Sequence, residues 1–408
     1  MMMSQGQKVI QDWYQQKNWH QFPFQREMET VYLAGFSGLL NAPTGSGKTF
    51  ALFLPFLADF INKHPDYKIR QNNGLQMLWI TPLRALTNDI RKAMQEVCDD
   101  LQIPWKIATR TGDTPAAEKA ALKKKLPEVL LTTPESLHLM LAQKEYPKIF
   151  QSLQVLVVDE WHELLGTKRG VQVELGVSKL KHLSTALSFG ESRRGIKIWG
   201  ISATIGNLEQ AAEVLLGNDF PPDQIKMVRA NLDKKLDIQS IIPENIENYS
   251  WAGHIGLKLL PQVMEIVAKS KTTLIFTNTR SQSEIWYHAI LDNYPEYAGV
   301  MAMHHGSLDN DLRNWVEQAL HAEALKVVVC TSSLDLGVDF RPVDTVVQVG
   351  SPKGVARFMQ RAGRSGHHPG AVSKAYFVPT HSLELLEGAA LKEAIKRKIF
   401  ESRDPLLL

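Results

Sequence analysis

The sequence predicts two tandem doubly wound α/β domains, each built on a mostly parallel sheet with helices on both faces. Three observations lead there. Apolar runs of strand length alternate with helical patterns along nearly the whole chain, which is the rhythm of βαβ units. The rhythm occurs twice, on either side of a charged stretch at residues 228–236, yet a glycine-rich loop of phosphate-binding composition stands only in the first half. The length, 408 residues, exceeds what one hydrophobic core usually organises. The boundaries read from the sequence are a first domain over 1–230, a second over 231–395, and 396–408 as the start of a further region.

Composition narrows the class. Hydrophobic content of 44% and charged content of 22% are ordinary for a soluble globular protein. A net charge of +3 is too small to indicate nucleic-acid binding, although basic residues can still gather in one cleft. Cys98 and Cys330 lie far apart and form neither a metal spacing nor a disulfide framework, which fits a reducing cytoplasm. Residues 1–16 are polar and lack the apolar centre of a signal peptide. The most apolar helix, 50–61, is interrupted by Pro55 and Asp59 and is too short to span a bilayer. The expectation is a monomeric cytoplasmic protein without a membrane segment.

In the first half, a short apolar strand (38–40) leads into Asn41-Ala42-Pro43-Thr44-Gly45-Ser46-Gly47-Lys48-Thr49 and then into the helix 50–61. Glycines let successive backbone N–H groups turn around a triphosphate while the helix points its positive end at the anion. Thr44, Gly45, Ser46 and Gly47 would form the cradle, Lys48 would reach the β- and γ-phosphates, and Thr49 would offer a hydroxyl to Mg²⁺. Ala42 stands where the pattern usually has its first glycine. Upstream, Gln25 sits among Trp13, Trp19, Phe22 and Phe24. Its amide suits the edge of adenine while an aromatic stacks on the ring; a helix start with core aromatics is the other reading.

Five further apolar runs (75–80, 106–109, 129–131, 155–158, 196–201) alternate with helical patterns such as 85–101 and 116–122. Ligands of such sheets bind beyond the carboxyl ends of the strands. The polar clusters fall there, at 81–84, 110–113, 132–135, 159–162 and 202–204. Asp159 and Glu160 follow one such run: a carboxylate at a buried strand end can hold Mg²⁺, and its neighbour can deprotonate a water.

The second half repeats the rhythm at 273–276, 299–303, 326–329, 345–349 and 375–378, ending in a helical stretch over 384–399. Its clusters lie at 277–280, 304–307, 331–339 and 360–367. Arg361 and Arg364 are three apart on one helical face and suit a finger reaching a γ-phosphate across an interdomain cleft, an effect of roughly 10³–10⁵ in rate. For Arg361 a DNA-facing basic helix is the other reading. Small hydroxyls, backbone amides and a few arginines at strand ends suit a sugar–phosphate backbone. The candidates are Thr81, Arg84, Gly112, Thr133, Asn278, Arg280, Gly306, Ser307 and Thr331. Trp161, Trp315 and Phe358 could stack on bases, with core packing the safer reading.

Asp-Glu-x-His at 159–162 with Ser-Ala-Thr at 202–204 resembles the DExH-box ATPases of helicase superfamily 2. Adding Thr-Gly-Asp-Thr (111–114), His-Gly-Ser-Leu (305–308), Thr-Ser-Ser-Leu-Asp-Leu-Gly-Val-Asp (331–339) and Gln-Arg-Ala-Gly-Arg-Ser-Gly-His (360–367), the set resembles the Lhr-type helicases, particularly the bacterial ligase-associated DExH-box DNA helicases. The resemblance runs from about residue 25 to residue 368. It implies two RecA-like domains with the ATP site in the cleft between them, ATP and Mg²⁺ as cofactors, and 3′-to-5′ movement on single-stranded or tailed DNA in a repair setting. It further implies sequence-independent grip on the DNA backbone and DNA ligase or nuclease repair proteins as partners. Superfamily 2 members usually end the last motif Gly-Arg-x-Gly-Arg, so the resemblance implies Arg364 as the main finger and His367 in the place of the second, with Gln360 and His367 in the catalytic set and Gly337 and Asp339 in the nucleotide set. An RNA helicase of the same superfamily and an ATP-gated clamp without processive unwinding stay open. Relatives continue into a winged-helix domain, so the expectation is the motor core of a longer protein.

Overall fold

The computed structural model describes residues 3–406 apart from 44, 83, 188–194, 204, 219, 232–235, 243–255, 336–342, 366–371 and 403, and leaves aside the side chains of 84–86, 186, 187 and 310. Two compact units divide the chain, 1–231 with 402–408, and 232–401.

The first unit is built on seven described strands: β1 (Ser37–Asn41), β2 (Met77–Ile80), β3 (Ile107–Arg110), β4 (Val129–Thr132), β5 (Val155–Val158), β6 (Lys197–Ser202) and β7 (Ile225–Arg229). Their order is β3-β4-β2-β5-β6-β1-β7 and every described pair is parallel. The inner strands β2, β4 and β5 are buried at every position, as a sheet covered on both faces requires. Register keeps the carboxyl ends level: Asn41 lies beside Ser202, Ile80 beside both Thr132 and Val158, and Arg110 beside Thr132. The loops after these strands therefore leave the sheet along one edge.

The second unit carries six described strands, β8 (Leu236–Ser240), β9 (Thr273–Phe276), β10 (Met301–His304), β11 (Val327–Cys330), β12 (Thr345–Val349) and β13 (Ser373–Val378), in the order β10-β11-β9-β12-β13-β8. All described pairs are again parallel. His304, Cys330, Phe276 and Gln348 stand level across the sheet.

β7 and β8 overlap the stretch that reads as linker. Both are edge strands with partly exposed, mixed sequences (IKMVR and LDIQS), so no apolar run announces them. Gly38 makes room for β7: a Cβ there would lie 1.8 Å from the Lys226 carbonyl oxygen. Residues 396–408, expected to open a further region, lie on both sides of the division between the units. Glu401 accepts from the backbone N–H groups of Val355 and Ala356 in the second unit, and 402–408 group with the first. Trp161 and Phe358 are core residues, whereas Trp315 is 53% exposed, against the core reading. Both cysteines are buried and unpaired by disulfides, and burial pushes both thiols up. Among the described residues, no helix is long and apolar enough to cross a membrane.

Candidate functional site

The loop after β1 delivers its residues to the start of the helix Lys48–Lys63. Gly47 caps that helix in the left-handed region, at φ 80° and ψ 31°, a backbone that glycine adopts without strain. A Cβ at Gly47 would also lie 2.9 Å from the Gln25 amide nitrogen. That amide clamps the loop: Nε2 donates to the Gly47 carbonyl at 3.2 Å, and Oε1 accepts from the Phe22 backbone N–H at 2.9 Å. One N–H and one lone pair of Gln25 remain for a ligand. Ser46 Oγ donates to the Pro43 carbonyl at 2.7 Å, bracing the turn. Trp19 and Phe22 stay 45% and 38% exposed, leaving aromatic faces beside this clamp.

β5 brings Asp159 and Glu160 to the same edge. Glu160 adopts φ 48° and ψ 43°, an uncommon conformation for a non-glycine residue that turns the chain into the helix Trp161–Leu164. Its Oε1 accepts from Lys48 Nζ at 2.8 Å, with both side chains buried. Asp159 accepts from the Glu160 backbone N–H at 2.9 Å and from Trp79 Nε1 at 3.4 Å. Burial, then the charge of Glu160, pushes the Asp159 carboxyl up to about 7, against the opposing pull of Lys48. Two buried carboxylates thus share one cation. This hard-oxygen donor set with excess negative charge fits a divalent cation such as Mg²⁺.

His162 ties this element to β6. Its Nδ1 accepts from the Ala203 backbone N–H at 3.2 Å, while Asn41 Nδ2, at the end of β1, donates to the Ala203 carbonyl. Ser202 is wholly buried and its hydroxyl donates to the Ala203 carbonyl at 3.1 Å.

A raised carboxyl has a stability consequence. Between about pH 4 and about pH 7 the folded chain binds more protons at Asp159 than the unfolded chain, so stability falls as pH rises through that window and levels off above it. Asp159→Asn is expected to raise the Tm at about pH 8 and to change it little at about pH 5. Thermal unfolding at both values checks this, and equal shifts would reject the assignment.

In the second unit, the helix Val355–Ala362 carries Gln360 and Arg361, with Arg364 just beyond. Arg361 does not extend outward as a finger would. It is 2% exposed, with Nε and Nη2 on the two oxygens of Asp335 at 2.6 and 3.0 Å and Nη1 on Gln348 Oε1 at 2.6 Å. Its guanidinium lies 4.8 Å from the Phe276 ring centre. A buried carboxylate with a fork-shaped donor explains this inward turn. Arg364 is equally buried and donates to the Asp335 carbonyl at 2.7 Å. Gln360 is buried as well.

The strand-end residues sort into three groups. Gly112, Gly306, Ser307 and Arg280 are exposed, with Arg280 paired to Glu284 at 2.7 Å. Thr133 and Asn278 have local partners: the Thr133 hydroxyl caps the helix Pro134–Leu141, and Asn278 Nδ2 donates to the Ser351 carbonyl at 2.7 Å. Thr81 is fully buried with a hydroxyl lacking a hydrogen-bond partner, and Thr331 is half-buried. Thr49 is half-buried in the first turn of its helix. Thr44, Thr204, Gly337, Asp339 and His367, and the Arg84 side chain, lie outside the described residues. Reading from sequence missed Asp335, Gln348, Trp79 and His162 as partners. Only Asp335 and His162 lay inside a motif, and buried pairing across strands has no sequence signal.

Two domain descriptions match the chain, DEAD/DEAH box helicase over residues 22–211 and helicase conserved C-terminal domain over 257–368. The ATP-dependent helicase Lhr-Core of Sulfolobus acidocaldarius is 35% identical over 95% of this chain and 44% of its own length. The Lhr helicase/uracil glycosylase of Escherichia coli is 31% identical over 90% of this chain and 27% of its own length. The chain therefore spans less than half of the length of these curated relatives. The Mycobacterium smegmatis helicase Lhr, solved with ssDNA and AMP-PNP, superposes with a TM-score of 0.82 at 28% identity, over 97% of this chain and 50% of that one. Both matched domains and these relatives agree with the motifs on the two parallel sheets: the chain carries the two helicase domains and is a homologue of the Lhr-type helicases.

Proposed function

We propose that this chain is the ATP-hydrolysing motor of a DNA translocase that moves 3′ to 5′ along single-stranded or tailed DNA in a repair setting. The observation carrying this reading is the buried Lys48–Glu160 pair, 2.8 Å apart, between a glycine-capped helix start and a strand-end carboxylate. A triphosphate in the loop would compete for Lys48, leaving Glu160 to accept a proton from the attacking water. Asp159 and Thr49 would hold Mg²⁺, which when bound neutralises phosphate charge. Gln25 would keep the loop in shape and lend its remaining N–H to the base. Arg364 is the group assigned to charge developing on the γ-phosphate, with His367 beside it in sequence. Arg361 is assigned to holding Asp335 in place. Gly337, Asp339 and Gln360 are assigned to the same nucleotide-sensing segment.

The nucleic-acid track would use Thr81, Arg84, Gly112, Thr133, Asn278, Arg280, Gly306, Ser307 and Thr331, contacting sugar and phosphate. The relative solved with ssDNA and AMP-PNP supports this reading. The ligase-associated subgroup, ligase or nuclease partners, a cytoplasmic location and a monomeric motor core within a longer protein rest on the motif resemblance. The test is the ATPase rate of the 408-residue chain with single-stranded DNA, duplex DNA and RNA at fixed salt. Single-stranded DNA is expected to stimulate most. Its affinity should fall with salt at a log–log slope of roughly −0.7 per phosphate contacted. Stimulation by RNA alone would make the chain an RNA helicase. Binding gated by ATP without turnover would make it a clamp.

A further inference from the structure

His304 ends β10, and Ser333 lies in the turn that follows β11. The imidazole is 1% exposed. Its Nδ1 lies 2.7 Å from Ser333 Oγ, and its Nε2 lies 3.3 Å from a carboxylate oxygen of Glu317 on the helix Asn310–His321, out of line for a hydrogen bond. Ser333 Oγ has two more neighbours, the His304 carbonyl at 3.0 Å and the Thr331 hydroxyl at 3.5 Å.

A serine hydroxyl has one proton to give. The His304 carbonyl only accepts, and so does a phosphate oxygen. While Ser333 donates inward, to that carbonyl or to Nδ1, it has nothing left for a phosphate. For Ser333 to donate outward, Nδ1 must become a donor to Oγ. A neutral ring with its proton on Nδ1 would turn the Nε2 lone pair toward the Glu317 carboxylate. The imidazolium donates from Nδ1 to Ser333 and sets its positive charge beside the Glu317 carboxylate.

We propose that His304 is a positioning residue for nucleic-acid grip: a backbone phosphate engaged by Ser333 is accompanied by uptake of one proton at His304. The proton adds to the free imidazole nitrogen, no bond is broken, and its source is solvent. The proposal rests on the reading of the strand ends as a nucleic-acid track. The surrounding charges are Glu317, flanked one turn away by Arg313 and His321; His305, the next residue after the strand; and Arg280, Glu284 and His288 on the helix Arg280–Asn293. His305 is held below the ordinary imidazole value by burial and then by Arg280. From the β11 side come Cys330, whose thiol burial keeps neutral, and Asp335, engaged by Arg361.

The experiment uses the full 408-residue chain and a fluorescent oligothymidylate at fixed salt. Anisotropy at about pH 6 and about pH 8 gives the affinity, and calorimetry in two buffers of different ionisation enthalpy counts protons. Wild type is expected to lose up to about tenfold in affinity per pH unit on the alkaline side and to take up close to one proton on binding. His304→Asn keeps an N–H near the Nδ1 position without titrating, so it should bind with a flatter pH profile. Ser333→Ala should lose the proton uptake while leaving the ring in place. Binding without proton uptake in wild type, or the same uptake in both variants, overturns the inference alone. No binding of the oligonucleotide at any pH overturns the track and the inference together.

Discussion

Glu160→Gln is expected to abolish ATP turnover while ATP still binds, and Lys48→Ala to lose both. Glu160 lies 2.8 Å from Lys48, so the ammonium is held by a carboxylate that, on the proposed reading, phosphate would displace. An amide keeps the size of that group but cannot accept a proton from water. The loss should be about 10²- to 10⁴-fold in rate. It also removes the competitor for Lys48, so nucleotide affinity should hold or rise. Lys48→Ala deletes the phosphate contact itself and leaves Glu160 buried beside Asp159 without its cation. Turnover and equilibrium binding of a fluorescent ATP analogue, measured on both variants, check this division. An equal fall in ATP affinity would sink it.

Arg361→Ala should act on stability before it acts on rate. The guanidinium satisfies both Asp335 oxygens and Gln348 Oε1 in a site with almost no solvent. Removing one partner of a buried ion pair costs about 3–5 kcal/mol, because the other charge is left uncompensated. Lysine cannot reproduce three directed bonds from a planar fork, so Arg361→Lys should recover little. Urea unfolding followed by probes in each half of the chain would detect early loss of the second unit. A variant that unfolds like wild type but hydrolyses ATP slowly would instead make Arg361 a direct transition-state contact.

The contrast between these two sites marks what the sequence carries. Lys48 and Thr49 sit at fixed spacing from Gly45 and Gly47, and Asp159-Glu160 directly ends an apolar run, so local pattern is enough to find them. Both inner sheets are legible for the same reason, since strands buried on two faces are apolar throughout. Arg361 looks from sequence like a companion of Arg364, because its spacing is all that shows. Its partners are 26 and 13 residues upstream, and one of them, Gln348, lies within strand β12, buried at every position. Only the order β11-β9-β12, which sets the loop after β11 near the end of β12, brings these groups together. Edge strands β7 and β8 escape for a related reason, because a strand covered on one side need not be apolar at every position.

One residue just past the end of β6, Ala203, has a mechanical meaning. The Ala203 carbonyl takes the Asn41 amide at the root of the glycine-rich loop, and the Ala203 N–H is taken by His162, two residues after Glu160. Backbone therefore works as a single rivet through both arms of the site. The gap between the loop after β1 and the Asp159-Glu160 turn is gauged by one buried residue gripped from both sides by short side chains, Asn41 and His162. Drift in surrounding packing would leave that gauge alone, whereas a one-residue insertion beside Ala203 would throw both arms out of alignment at once.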